Sequence, residues 1–117
     1  MNNFQIIPAI DLIKGKCVRL YKGSFRQKTE YSISPAEQAK IFEADGGDLI
    51  HVVDLDGARL GKPKNLRTIG HICESVKIPI EVGGGVRRIE DAEKLFELGV
   101  ERVILGTTAI EQPEMLQ

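Results

Sequence analysis

The chain has 117 residues, of which 42% are hydrophobic and 28% charged, the composition of about one ordinary globular domain. Its 16 basic and 17 acidic residues leave a net charge of −1, which excludes a global cationic field for nucleic acid or a membrane surface. No apolar run approaches the ~20 residues of a membrane span. Trp is absent and the two cysteines make no disulfide framework, so a cytoplasmic protein with neither nucleic-acid nor membrane partners is expected.

Four short apolar, β-branched runs punctuate the chain: Gln5 to Ile10, Leu49 to Val53, Ile78 to Val82 and Arg102 to Leu105. Each is nearly continuous rather than alternating, which predicts strands of a parallel sheet covered on both faces. Between the first two lies an insertion from Leu12 to Ile33. It carries Lys14, Lys16, Arg19, Lys22, Arg26 and Lys28, with no acid between Lys14 and Lys28. Gly15 and Gly23 suit a mobile basic loop there, able to attract and close over an anion. Ser34-Pro35-Ala36-Glu37 is a capping box with Pro at the first helical position, and Asp45-Gly46-Gly47 stops that helix. A second helical stripe is Leu66, Ile69, Ile72, Cys73 and Val76. A third is Ile89, Ala92, Leu95 and Phe96, ended by Gly99. A fourth helix is expected to start at Pro113-Glu114.

Strand and helix therefore alternate, which means α/β with parallel strands. The later units repeat at about 25 residues, the size of a βα unit. A TIM-barrel type (β/α)₈ fold needs roughly 200–250 residues. Residues 1–117 are accordingly read as a single half-barrel, (β/α)₄, ending within its fourth unit. A small doubly wound domain is the structural alternative.

In either fold ligands meet the carboxyl ends of the strands. Those ends carry Asp11, Asp54 with Asp56, Gly83-Gly84-Gly85-Val86-Arg87, and Gly106-Thr107-Thr108. Three consecutive glycines allow positive φ and close approach of backbone N–H groups to a ligand, and Arg87 supplies a cation. Together with Gly106-Thr107-Thr108, beside an expected helix start, they form a candidate anion cup; a tight turn and a cap is the plainer alternative. Asp11 closes an apolar run, where desolvation raises a carboxyl pKa and improves it as a proton acceptor. Asp54 and Asp56 could serve equally to order their own loop. His51, within a strand, is either a bonded core residue or a substrate contact. No spacing of His, Cys and carboxylates suggests a metal site.

Pro8-Ala9-Ile10-Asp11-Leu12, Gly15-Lys16-Cys17-Val18-Arg19-Leu20, His51 through Ala58, and Val82-Gly83-Gly84-Gly85-Val86-Arg87 together resemble the phosphoribosylformimino-5-aminoimidazole carboxamide ribotide isomerases of histidine biosynthesis, from about Ile6 onward. The resemblance implies a (β/α)₈ barrel of two similar halves. It implies a cofactor-free and metal-free Amadori rearrangement of a bis-phosphorylated ribotide, with one phosphate site in each half. It implies that Asp11 is the general base, that Gly84, Gly85, Arg87, Gly106, Thr107 and Thr108 line one phosphate site, and that His51 and Arg19 contact substrate. The family's general acid is a second aspartate at the start of the second half, and these 117 residues hold no counterpart. Loss of a positioned acid or base costs ~10²–10⁴-fold, so the half alone is expected to be nearly inactive and to self-associate or pair with a C-terminal half. Two other readings are the sister cyclase subunit of imidazole glycerol phosphate synthase and a non-catalytic, phosphate-binding half-barrel. The cyclase family resembles Cys-Leu-Asp at the first strand with a following Lys, where this chain has Ala9-Ile10-Asp11 and Arg19.

Overall fold

A computed structural model describes residues 4–21 and 24–113. The chain begins with β1 (Ala9–Ile13), β2 (Lys16–Tyr21) and β3 (Ser24–Glu30), continues through α1 (Pro35–Ala44), β4 (Ile50–Asp54), α2 (Leu55–Leu60), α3 (Leu66–Ser75) and β5 (Ile80–Gly83), and ends in α4 (Ile89–Glu97), β6 (Arg102–Leu105) and β7 (Thr108–Glu111). The strands form one open sheet in the order β3-β2-β1-β4-β5-β6-β7. β1, β4, β5 and β6 are mutually parallel, as the four apolar runs require. This is the α/β half-barrel arrangement, an unclosed sheet of TIM-barrel type.

Helix α1 starts where the sequence provides a cap. Ser34 Oγ accepts the Glu37 N–H at 3.2 Å and Pro35 opens α1. Helix side chains Ala39, Ile69, Ile72, Ala92, Leu95 and Phe96 pack on Ile10, Leu12, Ile50, Val52, Ile80, Val82 and Val103 from the strands. Each large side chain so buried contributes about 1.5–3 kcal/mol, and these residues lie on one face of the sheet only.

That last point corrects the expectation of strands covered on both sides. Burial alternates along β4: Ile50, Val52 and Asp54 are buried, while His51 and Val53 are half-exposed. Among the described residues no helix packs on the second face. The first strand also starts later than its apolar run, at Ala9, because Pro8 has no N–H for the ladder.

The insertion is not a loop but a hairpin, β2 and β3, added antiparallel to the outer edge of β1. Arg26 and Lys28 lie in β3, whereas Lys22 and Gly23 lie outside the described residues. Its entry turn places Lys14 (φ 51°) and Gly15 (φ 76°) both at positive φ, the requirement of a two-residue hairpin turn. Two outside acceptors secure it: Lys14 N–H donates to Asp56 Oδ2 at 2.7 Å and Gly15 N–H to Asn65 Oδ1 at 2.8 Å.

After β6 the chain turns at Gly106-Thr107 and returns as β7, antiparallel to β6. The sequence placed a helix start beside Gly106-Thr107-Thr108; a strand stands there instead. Pro113 is not helical, and Glu114 lies outside the described residues. Gln112, buried at the end of β7, holds it down by donating from Nε2 to the carbonyls of Phe96 (3.2 Å) and Val100 (3.1 Å).

Asp54 organises the rim beyond β4. Its carboxylate is 1% exposed and saturated. Oδ1 accepts from Gly57 N–H (2.8 Å) and Asn65 Nδ2 (2.6 Å); Oδ2 accepts from Lys64 N–H (2.6 Å) and Asn65 N–H (3.0 Å). Asp54→Ala strands four buried or half-buried donors, so urea denaturation is expected to show a loss of about 3 kcal/mol or more. A loss below about 1 kcal/mol would contradict this structural role.

Candidate functional site

Side chains two apart on a strand share a face, and register decides which residues meet across strands. Asp11 pairs with Val53, and Val53 with Gly83. One row nearer the amino ends, Ala9, His51, Glu81, Arg102 and Glu111 stand in line across five strands. Asp11, His51 and the Gly83 turn therefore share the face that no helix covers. Asp11 and Gly83 are two strands apart, about 10 Å.

Asp11 and Arg19 line the same cavity of ≈ 400 Å³, together with Tyr31, Gln38 and Phe42. Burial pushes the Asp11 carboxyl above the usual carboxylate range, and the charge interaction with His51 draws it part of the way back. His51 Nδ1 lies 2.6 Å from Glu81 Oε1. Glu81 Oε2 accepts from Arg102 Nη1 at 3.0 Å, and Arg102 Nε donates to Glu111 Oε1 at 2.8 Å.

The glycine turn has a structural reason independent of any ligand. Gly84 (φ 103°) and Gly85 (φ 83°) both need positive φ. A Cβ on Gly84 would collide with the Asp54 carbonyl oxygen, and one on Gly85 with that of Gly57. Backbone lies on backbone here, and only glycine permits it. The turn still presents donors. The N–H groups of Gly84, Gly85 and Thr107 meet no protein acceptor among the described residues, whereas Gly106 N–H donates to Val86 O at 2.9 Å and joins the two rim segments. Gly106, Thr107 and Thr108 are exposed. The Arg87 guanidinium rests over Gly61, with Nη1 3.3 Å from the position of a Cβ there, so it packs on the end of α2.

Register separates Asp11 from Arg19: Arg19 shares the helix-side face of Cys17 and Ile10, so it meets the Asp11 cavity from the other side of β2. His51 stands on its carboxylate, and the Gly84–Gly85 turn is tied to Gly106-Thr107-Thr108. Asp54 and Asp56 serve their own rim, as their alternative reading held. Glu81 and Arg102 went unnoticed because they were absorbed into apolar runs. Glu81 between Ile80 and Val82 was the available signal: a charge at the alternate position of a strand.

The sequence profile of the family described as "Histidine biosynthesis protein" matches residues 5–117. The chain belongs to that family. Relatives from Prochlorococcus marinus strains NATL1A and MIT 9312 are 50% identical over 113 residues, and one from subspecies pastoris is 51% identical. Each is named 1-(5-phosphoribosyl)-5-((5-phosphoribosylamino)methylideneamino) imidazole-4-carboxamide isomerase. The match covers 97% of this chain and 44% of each relative, so the chain spans under half the length of those relatives.

Two predictions follow from the site's geometry. Gly85→Ala is expected to cost about 3 kcal/mol or more in urea unfolding, because backbone must move. Gly106→Ala meets nothing within 4 Å and pays only for φ 62°, about 1 kcal/mol. Equal costs would contradict the backbone-contact account. Asp11 is the pH probe. Its folded-state pKa is raised, so ionising it costs stability as pH rises from the ordinary carboxylate pKa through the folded value. Asp11→Asn should therefore melt higher than the parent at pH 7, with the gap closing as pH falls below about 4. A gap that widens on acidification would reverse the sign.

Proposed function

We propose that residues 1–117 form the N-terminal half of an aldose–ketose isomerase barrel acting on a bis-phosphorylated aminoimidazole carboxamide ribotide in histidine biosynthesis. The observation that carries this reading is the placement of Asp11, with its raised proton affinity, on the uncovered face shared with the glycine turn and its unpaired N–H groups. In the reaction, Asp11 removes the C2 proton of the ring-opened aminoaldose. A carboxylate held partly out of water is a stronger proton acceptor near neutrality than an ordinary one. The N–H groups of Gly84, Gly85 and Thr107 and the hydroxyls of Thr107 and Thr108 anchor one phosphate. Arg87 joins them by rotating about its own exposed side-chain bonds away from Gly61. His51 holds the sugar between base and anchor, and Arg19, which shares the helix-side face of Cys17, reaches the substrate only around the edge of β2. Ring opening leaves an imine between C1 and nitrogen, and the C2 proton passes to Asp11 as the nitrogen takes a proton. The resulting enol gives up its O–H proton as an acid protonates C1, which completes the aminoketose with no cofactor or metal.

The acid and the second phosphate anchor come from a second half, which closes over the uncovered sheet face. In the closed barrel the edge of β6 now taken by β7 pairs with the next parallel strand. A second copy of this chain covering the same face is the weaker pairing, since it brings a second Asp11 rather than an acid placed for C1.

The test is an isomerase assay on this chain alone and mixed with the separately expressed second half of a Prochlorococcus relative. Turnover is expected only in the mixture and should fall ~10²–10⁴-fold with Asp11→Asn. Full activity of the chain alone would sink the half-site claim. Phosphate binding with no turnover in any mixture would favour a non-catalytic phosphate-binding module.

A further inference from the structure

The row beneath Asp11 contains a device that the isomerase reading does not use. Glu81 is half-buried on β5, its side chain 14% exposed, and both carboxylate oxygens are committed: Oε1 to His51 Nδ1 at 2.6 Å, Oε2 to Arg102 Nη1 at 3.0 Å. A carboxylate can only accept. The proton of that short contact therefore sits on His51 Nδ1, and whenever the ring is neutral its Nε2 is bare.

Arg102 matters to the balance. It neutralises Glu81 from the far side and is itself held by Glu111 at 2.8 Å. The ring's direction is fixed as well. Its Cε1 lies 3.8 Å from where a Gly83 Cβ would stand, so it leans along the face towards the rim. No side chain at Gly83 intervenes.

We infer that Glu81, braced by Arg102, is a positioning residue that locks His51 in the Nδ1–H tautomer and presents bare Nε2 as a hydrogen-bond acceptor on the uncovered sheet face. Its ligand class is a hydroxyl donor, as an open-chain sugar offers. The role of that acceptor rests on the isomerase reading; the tautomer does not.

The chain has two histidines, which makes the test direct. His71 is exposed on α3 and serves as internal control. Long-range ¹H–¹⁵N spectra of the labelled chain, recorded well above the ordinary imidazole pKa of about 6.5, are expected to show His51 as a single Nδ1–H tautomer. His71 should show the mixed tautomers of a free ring. Glu81→Gln should return His51 to the His71 pattern, while Glu81→Asp with its carboxylate kept should restore part of the bias. In the mixed-half assay, Glu81→Gln should raise KM for the ribotide about tenfold, the worth of one hydrogen bond, and leave binding of inorganic phosphate unchanged. Mixed tautomers of His51 in the parent chain would overturn the inference even if the variants fail to fold. An unaltered His51 spectrum in Glu81→Gln would overturn it too. Absent turnover with a locked His51 would instead sink the isomerase reading and leave the lock standing.

Discussion

The register of β1, β4 and β5 is the constraint on which the rest depends. One residue of slip would exchange the two faces of a strand. Ile10, Val52 and Val82 would turn outward, and Asp11, His51 and Glu81 would enter the helix-packed core. The apolar side chains thus choose the register, and by choosing it they set the polar face. Burial of isoleucines and valines under α1, α3 and α4 is what aligns the Asp11 carboxyl with a histidine and a glycine turn.

The rim is held by polar groups of the opposite character. Asp54 gives no free lone pair to a ligand; it binds together the start of α2, the start of α3 and Asn65, and Asn65 in turn fixes the β1–β2 turn. The Gly84–Gly85 turn then rests against the Asp54 and Gly57 backbone. A buried, saturated carboxylate with a glycine turn lying on it makes a stiff platform. Stiffness is useful where N–H groups must wait for an anion without reorganising.

Much of this was legible in the residues. The four parallel strands announced themselves as β-branched runs, and α1 by its cap at Ser34. The stripes of α3 and α4 fixed their inward faces. The hairpin was misread because its basic residues outweighed its strand pattern, Lys16-Cys17-Val18-Arg19-Leu20-Tyr21, and because Lys14-Gly15 is a poor advertisement for a two-residue turn. α2 is six residues long, too short for periodicity to show. The Thr108–Glu111 strand depends on the free edge of β6, a feature absent from any local window. The Glu81–His51 contact spans 30 residues and exists only through strand register. The Gly84 and Gly85 requirement was foreseen, but its immediate cause, backbone packed on backbone, was not.

The central claim is that this face binds a phosphorylated sugar between the glycine turn and Asp11. Titrating inorganic phosphate into the ¹⁵N-labelled chain tests it most directly. The account predicts saturable shifts concentrated at the amides of Gly84, Gly85 and Thr107. Shifts scattered over surface lysines, or gathered around the separate cavity of Lys14, Lys64 and Arg67, would contradict it.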